Sequence, residues 1–180
     1  MNDLELDKLR YPIGHYIAPE KYTSKYINEK IAEIASFPER LKKGVSQLSN
    51  KQLDTAYRPD GWTIRQVVHH CADSYINCFS RIKWALTEDT PIIKFYHEEL
   101  WAEMHDNRTM PIAPTLSLLE GLHFRLAYLM SSLSENDLQK SFIHPANNKE
   151  YKIEEIIGTY AWHSNHHLAH VTELKKRKSW

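Results

Sequence analysis

Residues that punctuate or cross-link a fold are scarce in this chain. Only five of its 180 residues are glycine, and none fall into the GxGxxG or GxxxxGK[ST] spacings whose backbone amides cradle nucleotide phosphates, so nucleotide chemistry finds no support. Cys71 and Cys78 are the two cysteines; on a helix their Cα atoms stand roughly 10 Å apart, beyond disulfide reach. They read as reduced core residues. An excess of either charge is also missing, because Lys plus Arg and Asp plus Glu both number 23. No net field draws in nucleic acid or an anionic membrane. Nor is there a long apolar run: the opening MNDLELDKLR has neither the basic start nor the apolar centre of a secretion signal, and no later stretch is apolar enough to span a bilayer. The expectation is a soluble cytoplasmic protein with no nucleic-acid or membrane partner.

What is present is helical periodicity. At 21.2 kDa the chain can bury one sizeable core but is short for two ordinary domains, which predicts a single domain over residues 1–180. Residues 1–22 lack periodicity and are expected to lie as an extended arm. A first helix is predicted from Ser24 to Leu48, with Ile27, Ile31, Ile34, Leu41, Val45 and Leu48 as its apolar stripe and Pro38 kinking or splitting it. Thr63 is a plausible N-cap for a second helix reaching Leu86. That helix carries an apolar stripe from Ile64 to Ile82 and a separate polar stripe of Thr63, Gln66, His70, Asp73, Ser74, Asn77 and Arg81. After a short amphipathic turn from Glu98 to Met104, a third helix is predicted from Thr115 to Leu133 behind Pro114. Phe142–His144 and Tyr151–Ile153 could form a small hairpin before a last helix over Ile153–Lys176. The fold class is all-α, a four-helix bundle.

The last helix gathers His163, His166, His167 and His170 into eight residues. Advancing each residue by about 100° sets His167 about 60° and His163 about 100° from the centre of the core-facing stripe; His170 lies about 120° and His166 about 160° away. His163 and His167 form the inward pair. Four residues apart, they rise from one face and can point at a common ion, but a third ligand must come from elsewhere. The best donor is the His69–His70 pair on the second helix. His70 stands on the polar stripe, which either faces water or lines a water-filled cleft, and periodicity does not separate the two.

Three sequence blocks bear on that choice: YRPDGWTIRQVVHHCADS over residues 57–74, WHSNHHLAH over residues 162–170, and the early Tyr11-Pro12-Ile13-Gly14. Together they resemble the YfiT branch of the DinB superfamily over nearly the whole chain. The resemblance implies a metal-binding four-helix bundle, often dimeric. Its first ligand is the histidine eight after the tryptophan that opens helix two, here His70; the other two are here His163 and His167. Many relatives continue from the last ligand with Arg-Gly-Gln, whereas this chain has Leu168-Ala169-His170, so the wider superfamily's substrates do not carry over.

Asp73, His166 and His170 could orient ligands or substrate, although each is equally compatible with a solvated helix surface. His144 is either a cleft residue reaching in from the hairpin or a loop histidine with no role. Three neutral imidazoles leave further positions open for water or a small-molecule substrate, and they suit zinc or nickel. Such an ion could generate hydroxide for hydrolysis, or present a low-molecular-weight thiol as its thiolate. The resemblance implies both chemistries, metal-dependent hydrolysis and bacillithiol-type S-transfer; a binding or stress-response role without catalysis is the third reading. No GxSxG elbow offers another mechanism. A homodimer is expected from the resemblance and from the aromatic supply of Trp84, Tyr96, Trp101 and Trp180.

Overall fold

The computed structural model describes residues 2–180. Its frame is four long helices, α2 (Ser24–Val45), α4 (Ile64–Thr87), α7 (Ile112–Ser131) and α9 (Ile153–Lys178). Between them lie the short helices α3 (Asn50–Leu53), α5 (Glu98–Ala102), α6 (His105–Thr109) and α8 (Glu135–Gln139), and α1 (Asp3–Arg10) precedes them all. Among the described residues, no helix is long and apolar enough to cross a membrane.

Local chemistry explains most of the boundaries. Thr63 starts α4 as predicted: its hydroxyl accepts from the Gln66 amide, and the Gln66 side chain accepts in return from the Thr63 N–H. Helix α2 runs unbroken through Pro38, so the expected split does not occur, and it stops at Val45 rather than Leu48. Helix α7 begins at Ile112, ahead of Pro114; a proline in the first turn removes only an N–H that has no intrahelical acceptor. The extended-arm expectation for residues 1–22 is corrected at its start, where α1 forms. That helix buries no residue, so it has no apolar stripe to detect. A reciprocal Asn2–Glu5 capping box, acids in its first turn and bases in its last hold it instead.

Around the bundle, α2 packs against α7 and α9, and α4 packs against the same two. Helices α2 and α4, neighbours in sequence among the long four, therefore stand on a diagonal. Their core is centred on Phe37, Tyr75, Leu119, Leu126 and Ile157, all essentially inaccessible. Tyr75 sits in the middle, its ring 3.9 Å from His123 and 5.4 Å from Tyr160 by centroid. Its hydroxyl donates to the Tyr160 carbonyl at 2.9 Å and also meets the Ser164 hydroxyl. Cys71 and Cys78 are free and buried, as expected.

The predicted hairpin is present within two residues of its expected bounds, as β1 (Ser141–His144) antiparallel to β2 (Lys149–Lys152), with Ile153 opening α9 instead. Ile143 also exchanges backbone hydrogen bonds with Pro91 and Ile93. That clamp fixes the hairpin against the segment leaving α4 and sets His144 beside the cleft described next.

Candidate metal centre

Neighbouring helices α4 and α9 wall a cleft of about 850 Å³ whose lining includes His70, Ser74, Arg81, His144, His163 and His167. Three members of the polar stripe of α4, His70, Ser74 and Arg81, thus line a cleft and are not on a solvated surface. Gln66, His70, Ser74 and Arg81 are all buried: the chain between α4 and α7 folds back over Gln66, which donates to the Ala102 carbonyl at 2.9 Å and to Glu103 at 3.0 Å, and over Arg81, which lies on Tyr96, while Trp62 and the α9 histidines pack on His70. A polar stripe with a polypeptide cover has the same periodicity as one in water, which is why the sequence leaves the two open.

His70 Nε2 lies 3.3 Å from His163 Nε2, and His163 Nε2 lies 3.1 Å from His167 Nε2. Nitrogens about 2.05 Å from a zinc-type ion are about 3.3 Å apart at tetrahedral and about 2.9 Å apart at octahedral angles, so these separations suit ligands of one ion. Where both facing nitrogens lack a proton, lone pairs so close repel one another, and a neutral tautomer avoids that only by turning one Nε2–H to its neighbour. Protonation would relieve that repulsion, but burial opposes it: the His70 pKa is held down to about 4, mainly by desolvation, and those of His163 and His167 are well below the ordinary value for the same leading reason. A divalent cation fits what the cluster needs. Trp62 packs its ring 4.6 Å from that of His70 and stacks on His167 at 6.4 Å, closing one side to water.

His166, His167 and His170 form a second buried cluster with metal-ligand separations. Phase alone turns His166 about 160° from the core, yet it is 8% exposed. The N-terminal arm accounts for the difference: Tyr11 lies 5.7 Å from the His166 ring, Trp162 stacks on it at 4.6 Å, and Trp162 donates to the Gly14 carbonyl. His170 is buried by the same arm, donating from Nε2 to the Arg10 carbonyl at 2.9 Å while stacking on Tyr57. The solvated-surface reading fails for both.

Asp73 is not brought to the cleft. It follows His70 by three residues, and the Asn107 amide of α6 donates to its carboxylate at 2.8 Å; burial raises its pKa, and that hydrogen bond partly offsets the rise. His69 points away from the cluster as well, bonded to Thr115 Oγ1 at 2.7 Å and the Met110 carbonyl at 3.1 Å. Of the four aromatics expected at the surface, Tyr96 instead lines the cleft.

Sequence reasoning passes over Arg10, Tyr11 and Tyr160, which also line the cleft. Nothing in their spacing marks them. Arg81 does carry a signal, its place on the polar stripe, but no spacing ties it to the histidines.

A four-helix bundle in which two adjacent helices converge three imidazoles at a cleft defines a class: helical bundles built around a metal-ligand cluster. Residues 34–171 match the DinB superfamily, and this chain belongs to it. Among its relatives is a protein of Oceanobacillus iheyensis named "Putative metal-dependent hydrolase", 48% identical over 171 residues, covering 95% of this chain and 98% of that one. Another of the same description, from Bacillus cereus strain AH820, is 47% identical over 175 residues, covering 97% of this chain and all of its own. The solved structure of YfiT from Bacillus subtilis, described as a probable metal-dependent hydrolase with an unusual four-helix bundle topology, superimposes with a TM-score of 0.94 at 41% identity, covering 96% of this chain and 99% of that one.

Proposed function

We propose that this protein is a metal-dependent enzyme in which His70, His163 and His167 hold one divalent ion, zinc or nickel, and that it hydrolyses a small molecule bound in the cleft. The observation that carries this reading is the approach of His163 Nε2 to 3.3 Å from His70 Nε2 and 3.1 Å from His167 Nε2, among neutral imidazoles at the wall of an open cleft. Relatives described as metal-dependent hydrolases support the choice of reaction. When bound, such an ion polarises a carbonyl and makes a nucleophile available near neutral pH. The chain's own groups orient and enclose. Trp62 and the Tyr11 arm exclude water from the imidazoles, and His144, half-buried beside the cleft, is the imidazole placed to accept or return a proton.

One feature favours thiol S-transfer as a second reading. The ligand cluster contains no carboxylate, and a thiol that ionises on coordination needs no carboxylate base beside it. Protein reconstituted with zinc or with nickel and assayed against ester and amide panels, then against a low-molecular-weight thiol with an electrophile, decides between them. Hydrolysis that disappears with chelator and returns with metal is the expected result. Metal-dependent conjugation without hydrolysis would replace the lead reading, and holo protein inert in every assay would leave a non-catalytic metal-binding role.

We also propose a homodimer. Phe124 and Tyr128 on α7 are 74% and 77% exposed and line a shallow apolar groove with Pro38 and Ala127, a better supply of contact area than Trp84 or Trp180. Sedimentation at micromolar concentration should give twice the chain mass, and Phe124→Glu should shift it to the monomer. A wild-type monomer throughout that range would overturn the assignment.

A further inference from the structure

Arg81 is a buried cation on the cleft wall whose surroundings do not account for its charge. Its residue is 8% exposed, its Nε is buried with no hydrogen-bond partner, and no carboxylate lies within ion-pair distance of it among the described residues. Tyr96 lies beneath the guanidinium at 5.8 Å. Such a stack covers one face and leaves the N–H edge unused. A buried cation without an acceptor is costly, and its fork geometry matches a planar carboxylate.

We propose that Arg81 anchors a carboxylate of the cleft's ligand, so that the substrate acted on at the histidine cluster is a carboxylate-bearing small molecule. Position supports the assignment. Arg81 lines the main cleft and also the adjoining cavity of about 230 Å³ that it shares with Ser74, His144, Tyr160 and His163. It follows His70 by eleven residues on α4, a rise of about 16 Å, and helical side chains lean back toward the N-terminus. The cavity it shares with His163 connects the two ends, a space for a small molecule held at both. Charge selects the anion. Among the described residues, Arg81 is the only Lys or Arg side chain in the adjoining cavity and no carboxylate lines it, so one guanidinium there balances a carboxylate better than a phosphate dianion.

The inference rests on the metal-enzyme reading for what happens at the other end of the ligand, and the test keeps the two apart. In the first measurement, the Arg81 Nε–H resonance of metal-free protein is followed by NMR while pentanoate, pentanamide or inorganic phosphate is added. Pentanoate should shift it and pentanamide should not; no shift, or tighter binding of phosphate, overturns the carboxylate assignment whatever the metal does. In the second, cobalt-substituted protein is titrated with ω-mercaptocarboxylates of increasing chain length and with the matching amides, the visible spectrum reporting sulfur at the ion. At the best length the carboxylate should bind about tenfold tighter than its amide. Arg81→Gln should abolish that preference and leave amide binding unchanged, and Arg81→Lys should keep part of it, each variant having native helix content. A preference that survives Arg81→Gln, or is absent from the wild type at every length, overturns the proposal. Failure of any thiol to change the cobalt spectrum would count against the metal-enzyme reading alone, with the resonance shift still deciding for Arg81.

Discussion

His167→Ala should bind its divalent ion at least about 100-fold more weakly than the wild type and retain little metal after desalting, because removing a ligand exceeds the loss seen on removing a ligand's hydrogen-bond partner. His70→Ala and His163→Ala should behave alike, since His163 Nε2 stands 3.3 Å from His70 Nε2 and 3.1 Å from His167 Nε2. His69→Ala should keep near-stoichiometric metal, its ring being committed to Thr115 and Met110. His166→Ala should keep it too. This last variant is the sharpest, because His166 belongs to the neighbouring cluster that shares His167. Metal per chain, measured on variants of native helix content, reads the outcome. Loss in His166→Ala and His170→Ala with retention in His70→Ala would move the ion under the N-terminal arm and leave His70 without its assigned role.

Tyr75→Ala should destabilise the protein by about 4 kcal/mol, the range for deleting a buried aromatic, and should loosen the metal site with it. Tyr75 is inaccessible and fills the space between Phe37, His123 and Tyr160. Its hydroxyl also grips α9 at Tyr160 and Ser164, on either side of His163. Tyr75→Phe separates packing from hydrogen bonding: it keeps the ring and should cost only about 1–2 kcal/mol. Urea midpoints of the two variants with metal removed give the comparison. Equal losses would mean that the hydroxyl, and not the ring, holds α9 in place.

Elements whose burial is written into their side-chain pattern are legible in this sequence. The cap at Thr63 and the stripes of α2 and α4 fix their helices, and the apolar positions either side of Ala146-Asn147-Asn148 announce the hairpin. Elements held by other means escape. Helix α1 owes its existence to capping and charge and carries no apolar stripe. The inward turn of His163 and His167 follows from helical phase, whereas the approach of His70 to them rests in the sequence on family resemblance alone, because a polar stripe is silent about what covers it. The burial of His166 and His170 by the arm could not be read at all: the contact between Arg10 and His170 spans 160 residues, and neither partner carries a local signature of the other.

The diagonal placement of α2 and α4 bears on the order of events during synthesis. Helix α9 is the last of the four long helices to leave the ribosome, and it packs against both members of that diagonal. Until it emerges, the nascent chain has α7 as its one long partner for α2 and α4, with the other flank of each exposed. The contacts that close the bundle join segments more than 100 residues apart, such as Arg40 with Asn165 and Lys175 with Gly44. Long loops of this kind slow the search for the native arrangement. Two of the three clustered imidazoles arrive on that last helix, so the cluster is incomplete while the chain is still short of it, and until then His70 stands without its two neighbours.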